Sequence, residues 1–279
     1  MRKTRIGTPV KPSFWDQEAL GYSLMTLMEV NGTNLQLDAM PITSDMVVLD
    51  CGCGPGRIAI QAAKRVKEVI CLDASEAMLE QCQRNCESAG ITNVEYVYAD
   101  WQEAEIGRTV PEVDMIIQAR GGGGPTTLAM LQKAARQYAV TVMWSDGAPC
   151  LPESRGKLFT GCYSKEAMDA HPVLRPFKRP DGPRPHLEPG KLPMSGPELK
   201  KVLAQQGIEV HVTRVDEGWD KLFASKEEAY TDLINLSRYP ELVNIDRFRT
   251  NVDAYLTQTE EGWQFFLPTS SDVAWFKTR

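Results

Sequence analysis

The sequence predicts an α/β protein built on a doubly wound, mostly parallel sheet. Three observations predict it. Short apolar runs ending in an acid, "MVVLD", "EVICLD" and "VEYVYAD", recur through residues 46–100, and helical spacing fills the intervals between them. A glycine-rich turn, "CGCGPG", joins the first run to the first helical pattern. Strands that alternate with helices at this interval form a parallel sheet covered on both faces.

Each element has its own local reason. "PGRIAIQAAKRV" carries apolar residues at helical spacing, and "SEAMLEQCQRNCESAG" opens with a capping Ser75 and closes with Gly90, the usual start and stop signals. "VDMIIQAR" is a fourth strand, "PTTLAMLQKAARQ" a helix with proline in its first turn, and "YAVTVMWS" a fifth strand. Residues 146–197 break the rhythm, with ten of the chain's eighteen prolines, and read as a long loop or insertion. A loop of that length is uncommon unless it is a lid, a binding loop or disordered. Beyond it come a helix at "GPELKKVLAQQG", a strand at "IEVHVTRV", two helices at "SKEEAYTDLINLSRY" and "PELVNIDRFRTNVDAYLTQ", then "WQFFLP" and a final strand "SDVAWFKT". The expected organisation is one domain over 1–279. It divides into a cap at 1–44, a core at 45–145, the Pro-rich insertion at 146–200 and a C-terminal part at 201–279 with a helical insertion at 216–260.

Composition excludes several classes. With 42% hydrophobic and 24% charged residues the chain is an ordinary globular one, and no apolar run approaches the roughly 18 to 20 residues that cross a bilayer. The basic start "MRKTRIGTPVKPSFW" has no apolar segment behind it, so no targeting segment or membrane partner is expected, and the expected location is cytoplasmic. A formal charge of -6 disfavours nucleic acid as a partner. The basic residues Arg175, Lys178, Arg179 and Arg184 read as a solvated loop. Seven cysteines, an odd number, read as reduced thiols; the pairs Cys51/Cys53 and Cys82/Cys86 lack zinc-site spacing, and no metal is expected. A homodimer stays open.

In an open parallel sheet, ligands sit beyond the carboxyl ends of the strands, and the first strand-to-helix turn is the usual nucleotide position. Gly52, Gly54 and Gly56 let backbone approach a ligand there. Their G-x-G-x-G spacing is not the G-x-G-x-x-G of a dinucleotide site, and Pro55 removes an N–H that a pyrophosphate would take, which speaks against a nicotinamide oxidoreductase. Asp50 directly precedes the turn. Asp73 ends the next strand, 23 residues on, where an acid hydrogen-bonds the hydroxyls of a ribose, and Asp100, followed by Trp101, is placed to take an amino group from an adenine.

"VVLDCGCGPG", "VICLDASEAMLEQC" and "VEYVYADWQE" resemble, in order, the cofactor-binding motifs of class I S-adenosylmethionine-dependent methyltransferases, over about residues 44–145. The resemblance implies a Rossmann-like, seven-stranded sheet with an N-terminal helical cap and helical or loop lid insertions, and S-adenosyl-L-methionine as cofactor. It implies that Gly52, Cys53 and Gly54 line the methionine part, that Asp50 belongs to the cofactor site, that Asp73 holds the ribose, and that Ala74 and Met78 lie beside the adenine. Asp100 and Trp101 fall where that family meets the exocyclic amine and the ring face. "FWDQEALGYSLM" is similar to the N-terminal segment of the small-molecule methyltransferases of quinone biosynthesis, which would set Trp15 and Tyr22 over the cofactor. Alternatively Phe14, Trp15, Leu20 and Leu24 are the apolar stripe of a cap helix.

Methyl transfer from a sulfonium is an in-line displacement that needs alignment and a dry site, and only some acceptors need a base. Gln118 and Arg120 stand where the sheet would face the methyl group; Arg120 reads either as a holder of an acidic substrate or as a structural ion pair. The strand ends "IIQARGGGGP", without the Asn/Asp-Pro-Pro-aromatic motif of enzymes that methylate adenine or glutamine nitrogens. Gly121 to Gly124 give either substrate access or a mobile turn. Asp146 is the carboxylate best placed as a base, if it is not a cap; His171 and His186 are alternatives in the insertion. Met143, Trp144, Trp219 and Phe223 read as core or as walls of an apolar pocket. The leading reading is a methyltransferase acting on a small-molecule acceptor. The alternatives are an RNA or protein methyltransferase and a protein that binds S-adenosylmethionine without catalysis.

Overall fold

The computed structural model describes residues 3–5, 14–101, 104–120, 127–149, 151–175 and 195–278. Gly121 to Gly124, Lys178, Arg179, Arg184 and His186 lie outside the described residues.

A short strand β1 (Lys3–Arg5) precedes two cap helices, α1 (Phe14–Met28) and α2 (Val30–Asp38). The alternating part runs β2 (Val47–Cys51), α3 (Arg57–Ala63), β3 (Glu68–Asp73), α4 (Glu76–Ser88), β4 (Val94–Tyr98), β5 (Val113–Ala119), α5 (Thr127–Ala134) and β6 (Ala135–Trp144). Then come α6 (Leu151–Phe159), α7 (Lys165–Ala170), α8 (Gly196–Ala204) and β7 (His211–Phe223). The chain ends with α9 (Lys226–Leu233), α10 (Ile245–Asp253), β8 (Leu256–Gln258) and β9 (Trp263–Lys277).

The sheet order is β1-β4-β3-β2-β5-β6-β9-β7, with β8 pairing β9. Strands from β1 to β6 pair parallel, and β9 is antiparallel to both its neighbours. From β2 the chain moves outward through β3 and β4, then returns to the far side of β2 with β5. The crevice for a ligand therefore opens beyond the ends of β2 and β5. The expected fold is present, with seven main strands and the short β1 and β8 added.

The apolar runs are near-continuous because both faces are covered, and successive side chains take opposite sides. Val48, Val69, Cys71, Met115 and Ile117 pack with α3 and α4 residues such as Ile58 and Leu79. Leu49, Ile70, Leu72 and Ile116 pack on the other face against Leu131, Leu199 and Leu203. A third core, with Trp219, Phe223, Phe248 and Phe265, gathers α1, α6, α9 and α10 around the far ends of β7 and β9.

Three expectations are corrected. "WQFFLP" and "SDVAWFKT" are one strand, β9, because Pro268 lies opposite Gly218 where β6 has already ended, its last pair being Trp144 with Ser271. Proline tolerates such a position since one side of the strand has no ladder there. The insertion at 146–200 is not all loop: it holds α6, α7 and a helical turn at Pro172–Leu174, with Pro152 in the first turn of α6, where its missing N–H costs nothing. Residues 216–223 continue β7, so the helical insertion begins only at α9. No helix among the described residues is long and apolar enough to cross a membrane.

Candidate functional site

The turn after β2 is held by groups close to it in sequence and in space. Gly52 and Cys53 donate their N–H groups to the Leu72 carbonyl at 2.8 and 2.9 Å. Gly52 (φ 72°), Gly54 (φ 52°) and Gly56 (φ 94°) all have left-handed backbone, which glycine adopts without strain. A Cβ at Gly52 would meet nothing within 4 Å, so this edge of the turn is open. At Gly56 a Cβ would lie 2.9 Å from the Cys82 sulfur, so the turn packs directly on α4.

Asp73 ties the turn to the next strand. Its two carboxylate oxygens accept from Gly54 N and Ser75 N, both at 2.8 Å. With the Ala74 N–H as a third donor, the carboxylate keeps one of its roughly four acceptor directions for a ligand hydroxyl. Ser75 caps α4 by accepting from Met78 N at 3.1 Å, and its hydroxyl donates to Asp16 of α1 at 2.6 Å. The cap helix is thereby docked on the start of α4, beside Asp73. Burial raises the Asp73 carboxyl, against the opposing N–H groups of Ser75, Gly54 and Ala74.

Asp50 is 1% exposed and accepts from Ala59 N at 3.0 Å, so it serves the start of α3. Burial pushes its carboxyl up to about 7, against the pull of Arg57 and the Ala59 N–H. Cys51 lies among the strand-end acids: burial first, then Asp50, Asp73 and Asp100 push its thiol up. Asp100 is half-buried and Trp101 buried on the second core. Met78 is buried on α4 with its sulfur toward Gly54. Trp15, 46% exposed, stands edge-on to Tyr22 at 5.5 Å. The buried apolar face of α1 is Ala19, Met25 and Met28, so Trp15 and Leu20, which is 67% exposed, are not its apolar stripe.

Beneath the turn, the sulfurs of Cys53, Cys71 and Cys82 lie within 4.8 Å of one another, all buried. Hydrogen bonding with Cys53 and Cys82 lowers the Cys71 thiol to about 7, and burial pushes Cys53 up. Sequence spacing gives no sign of this cluster, because the three residues come from the turn, β3 and α4.

On the other side of the turn is an ionic network that sequence reading missed apart from Arg120. Arg120, with left-handed backbone (φ 55°), donates to Glu29 at 2.6 Å, to Glu217 and to the Ser271 hydroxyl at 3.1 Å, and its guanidinium lies 3.5 Å over the Trp144 ring. Arg57 at the start of α3 reaches Glu29 at 3.4 Å, the Gln36 side-chain carbonyl at 2.8 Å and the Thr33 hydroxyl at 3.0 Å. Gln36 donates to Glu217, and Trp219 donates to Glu29 at 3.2 Å. Although burial acts to raise it, Glu29 is held below the usual carboxylate range by Arg120 and Arg57. Two acids thus balance two guanidiniums, and α1, α2, α3, β5, β7 and β9 are joined at the carboxyl edge of the sheet. Of the two readings of Arg120, the structural ion pair matches these contacts.

Gln118 is buried on β5, two residues before Arg120. Asp146 is exposed in the turn after β6; the buried acid nearby is Asp272, which accepts from Ser145 at 2.6 Å and from Gly196 N at 3.1 Å. His171 lies against Tyr239, 4.2 Å between ring centres. Trp219 and Phe223 are core, Met143 packs on the second core, and Trp144 carries Arg120.

Residues 48–138, from β2 into β6, match the methyltransferase domain family. The match covers about a third of the chain, and it is this segment that is similar to a methyltransferase domain. Its glycine turn, strand-end acids and sheet order are those already described. An uncharacterized protein of Haemophilus influenzae is 30% identical over 110 residues, 39% of this chain and 40% of that one. A 23S rRNA (uracil(1939)-C(5))-methyltransferase of Alcanivorax borkumensis is 39% identical over 62 residues, 22% of this chain and 14% of that one. The chain therefore spans less than half the length of these relatives. Among solved structures, one described by the conversion of a disulfide bond into a thioacetal group during echinomycin biosynthesis superposes with a TM-score of 0.51 at 16% identity, over 94% of this chain and 90% of that one. That likeness concerns the fold alone.

The turn at Gly52 is open on one side, and Asp73 keeps an acceptor direction beside it, so the residues present fit S-adenosylmethionine.

Proposed function

We propose that the whole chain works as one S-adenosylmethionine-dependent methyltransferase acting on a small-molecule acceptor. The observation that carries this is the joint placement of the open glycine turn, Asp73 and the docked helix α1 at the point where strand order reverses. S-adenosylmethionine supplies an electrophilic methyl group on a sulfonium. Gly52, Cys53 and Gly54 bring backbone against its amino-acid part, Asp73 takes the ribose hydroxyls, Ala74 and Met78 flank the base, and Asp100 and Trp101 meet its edge and face. Trp15 and Tyr22 on α1 close the cleft and exclude water, in the manner of the quinone-biosynthesis-like group, which supports a compact acceptor. Gln118 contacts the reacting end, and Arg120 acts as a positioning residue through its ion pairs. Asp146, on its exposed turn, is the base where the acceptor carries a proton.

RNA as acceptor is supported by partial matches to three RNA methyltransferases, over 62, 97 and 108 residues. The net charge of -6 speaks against it. The test is calorimetry with S-adenosylhomocysteine, followed by incubation with methyl-labelled S-adenosylmethionine and either fractionated metabolites or bulk RNA. Label in a small-molecule fraction supports the proposal. Label in RNA alone overturns its acceptor, binding with no transfer to either supports a non-catalytic role, and absence of binding overturns the whole reading.

A further inference from the structure

A cavity of about 240 Å³ opens between α6, the turn behind it and the helical turns Pro172–Leu174 and Ile234–Leu236. Ligand pockets run to roughly 300–1,000 Å³, so this one suits a small metabolite. Phe159, Leu174 and Leu236 form an apolar wall, and Phe159 lies nearly parallel to both Tyr163 and Phe248, which flattens it. Among the described residues, every charged one lining the cavity is an arginine: Arg155, Arg175 and Arg238. The Tyr163 and Ser237 hydroxyls, 2.8 Å apart, complete the polar side.

The carboxylates near these arginines differ in how firmly they hold them. Glu18 of α1 is buried and joins Arg238 and, at 3.4 Å, Arg155, so one acid is shared by two guanidiniums. Arg175 pairs with Asp169 at 3.0 Å, but both side chains are more than half exposed, and an exposed pair is worth about 0–1 kcal/mol. Arg175 can therefore leave Asp169 for a ligand anion at little cost. Guanidinium forks match a carboxylate in two parallel hydrogen bonds.

Helix α1 lies between this cavity and the glycine turn: its Asp16 is bonded to Ser75 beside Asp73, and its Glu18, two residues on and on the opposite side of the helix, holds Arg155 and Arg238. We infer that the cavity is a binding site for a small aromatic or apolar carboxylic acid, whose carboxylate is held by Arg175 and Arg155 against the flat Phe159 wall. The site is separate from the cofactor turn and goes beyond the methyltransferase reading.

The test uses the full chain with S-adenosylhomocysteine present and 4-hydroxybenzoate as probe, by ligand-detected NMR titration, with 4-hydroxybenzamide and phenyl phosphate as comparisons. The acid should bind, and the amide about tenfold more weakly, since it cannot accept the charge-assisted pair. Arg175→Gln should weaken the acid by about the same factor and leave the amide unchanged. Arg175 takes no part in the buried contacts of the fold, and Leu236→Trp, which fills the cavity from its apolar side, should remove binding of both. Equal binding of acid and amide, no response to either variant, or no binding of the acid overturns the inference. Tighter binding of phenyl phosphate overturns the carboxylate assignment. Calorimetry with S-adenosylhomocysteine alone separates the two readings: if the cofactor product binds and the acid does not, only this inference falls.

Discussion

The glycine turn and the Arg120 network lie on adjacent sides of the same crevice, yet they are built in opposite ways. The turn is held by backbone N–H groups and by Asp73, and its partners lie within about twenty residues, as in Gly54 N to Asp73, 19 apart. The network is held by four charged side chains from distant parts of the chain, Glu29, Arg57, Arg120 and Glu217, with Arg120 91 residues from Glu29 and 97 from Glu217. The first is a local solution to close approach between backbone and ligand. The second fastens the cap helices to the sheet edge, and it works only when the whole fold is assembled. Stability should therefore depend mostly on the network, and cofactor affinity mostly on the turn.

Glu217→Ala tests that division most severely. It takes one of two carboxylates from the buried Arg120 guanidinium, which keeps Glu29 and Ser271, and leaves the Gln36 amide N–H unpaired; removing one member of a buried pair costs about 3–5 kcal/mol. Urea unfolding should show that loss, and the double variant Arg120→Met, Glu217→Met should regain much of it, since apolar replacement of a whole pair is often near neutral. A loss below about 1 kcal/mol would mean that the cap is held elsewhere.

Asp50 provides a pH test on the side of the turn. Its folded carboxyl is raised to about 7 by burial, above its ordinary value of 3.8. Between those values the native state keeps a proton that the unfolded state has lost, so its contribution to stability falls as pH rises from about 4 to about 7, by at most about 1.4 kcal/mol per pH unit, and is flat above. Asp50→Asn can still accept from Ala59 N and should flatten that part of the profile. An unchanged slope would assign it to other groups.

Asp73→Ala addresses affinity. Loss of hydrogen bonds to a charged group should weaken S-adenosylhomocysteine binding by about 1–3 kcal/mol in calorimetry. Glu217→Ala, measured where it is still folded, should change this affinity much less. Equal effects would erase the contrast between the two regions.

The same contrast explains what could be read in the sequence. Strands β2 to β6, the Ser75 cap and the strand-end acids were legible because each depends on residues within one or two elements. The strand length of β9 was not: Pro268 reads as a break, and only the end of β6 and the facing Gly218 make it admissible. Helix α6 was hidden by Pro152 and Gly156, both harmless where they stand. Arg175 read as a solvated charge, because nothing local to it shows that Arg155 and Arg238 face the same cavity. Glu18, Glu29 and Glu217 carried no motif at all. Gly32 is a partial signal, since a Cβ there would lie 2.8 Å from Glu217 Oε2, yet a lone glycine in a helix does not name its partner.

The smallest effect expected separates a cap that only starts a helix from one that also joins two regions. Ser75 and Ser164 each accept one N–H, from Met78 and from Ala167, both at 3.1 Å, so replacing either with alanine should cost about 1 kcal/mol from the cap alone. Ser75 also donates to Asp16 and so holds α1 beside Asp73. Ser75→Ala should thus exceed Ser164→Ala by a few tenths to about 1 kcal/mol in unfolding and should also weaken S-adenosylhomocysteine binding, which Ser164→Ala leaves alone. If the two variants match in both measurements, the Asp16 bond contributes nothing to docking the cap, and the network at Glu29 fastens α1 by itself.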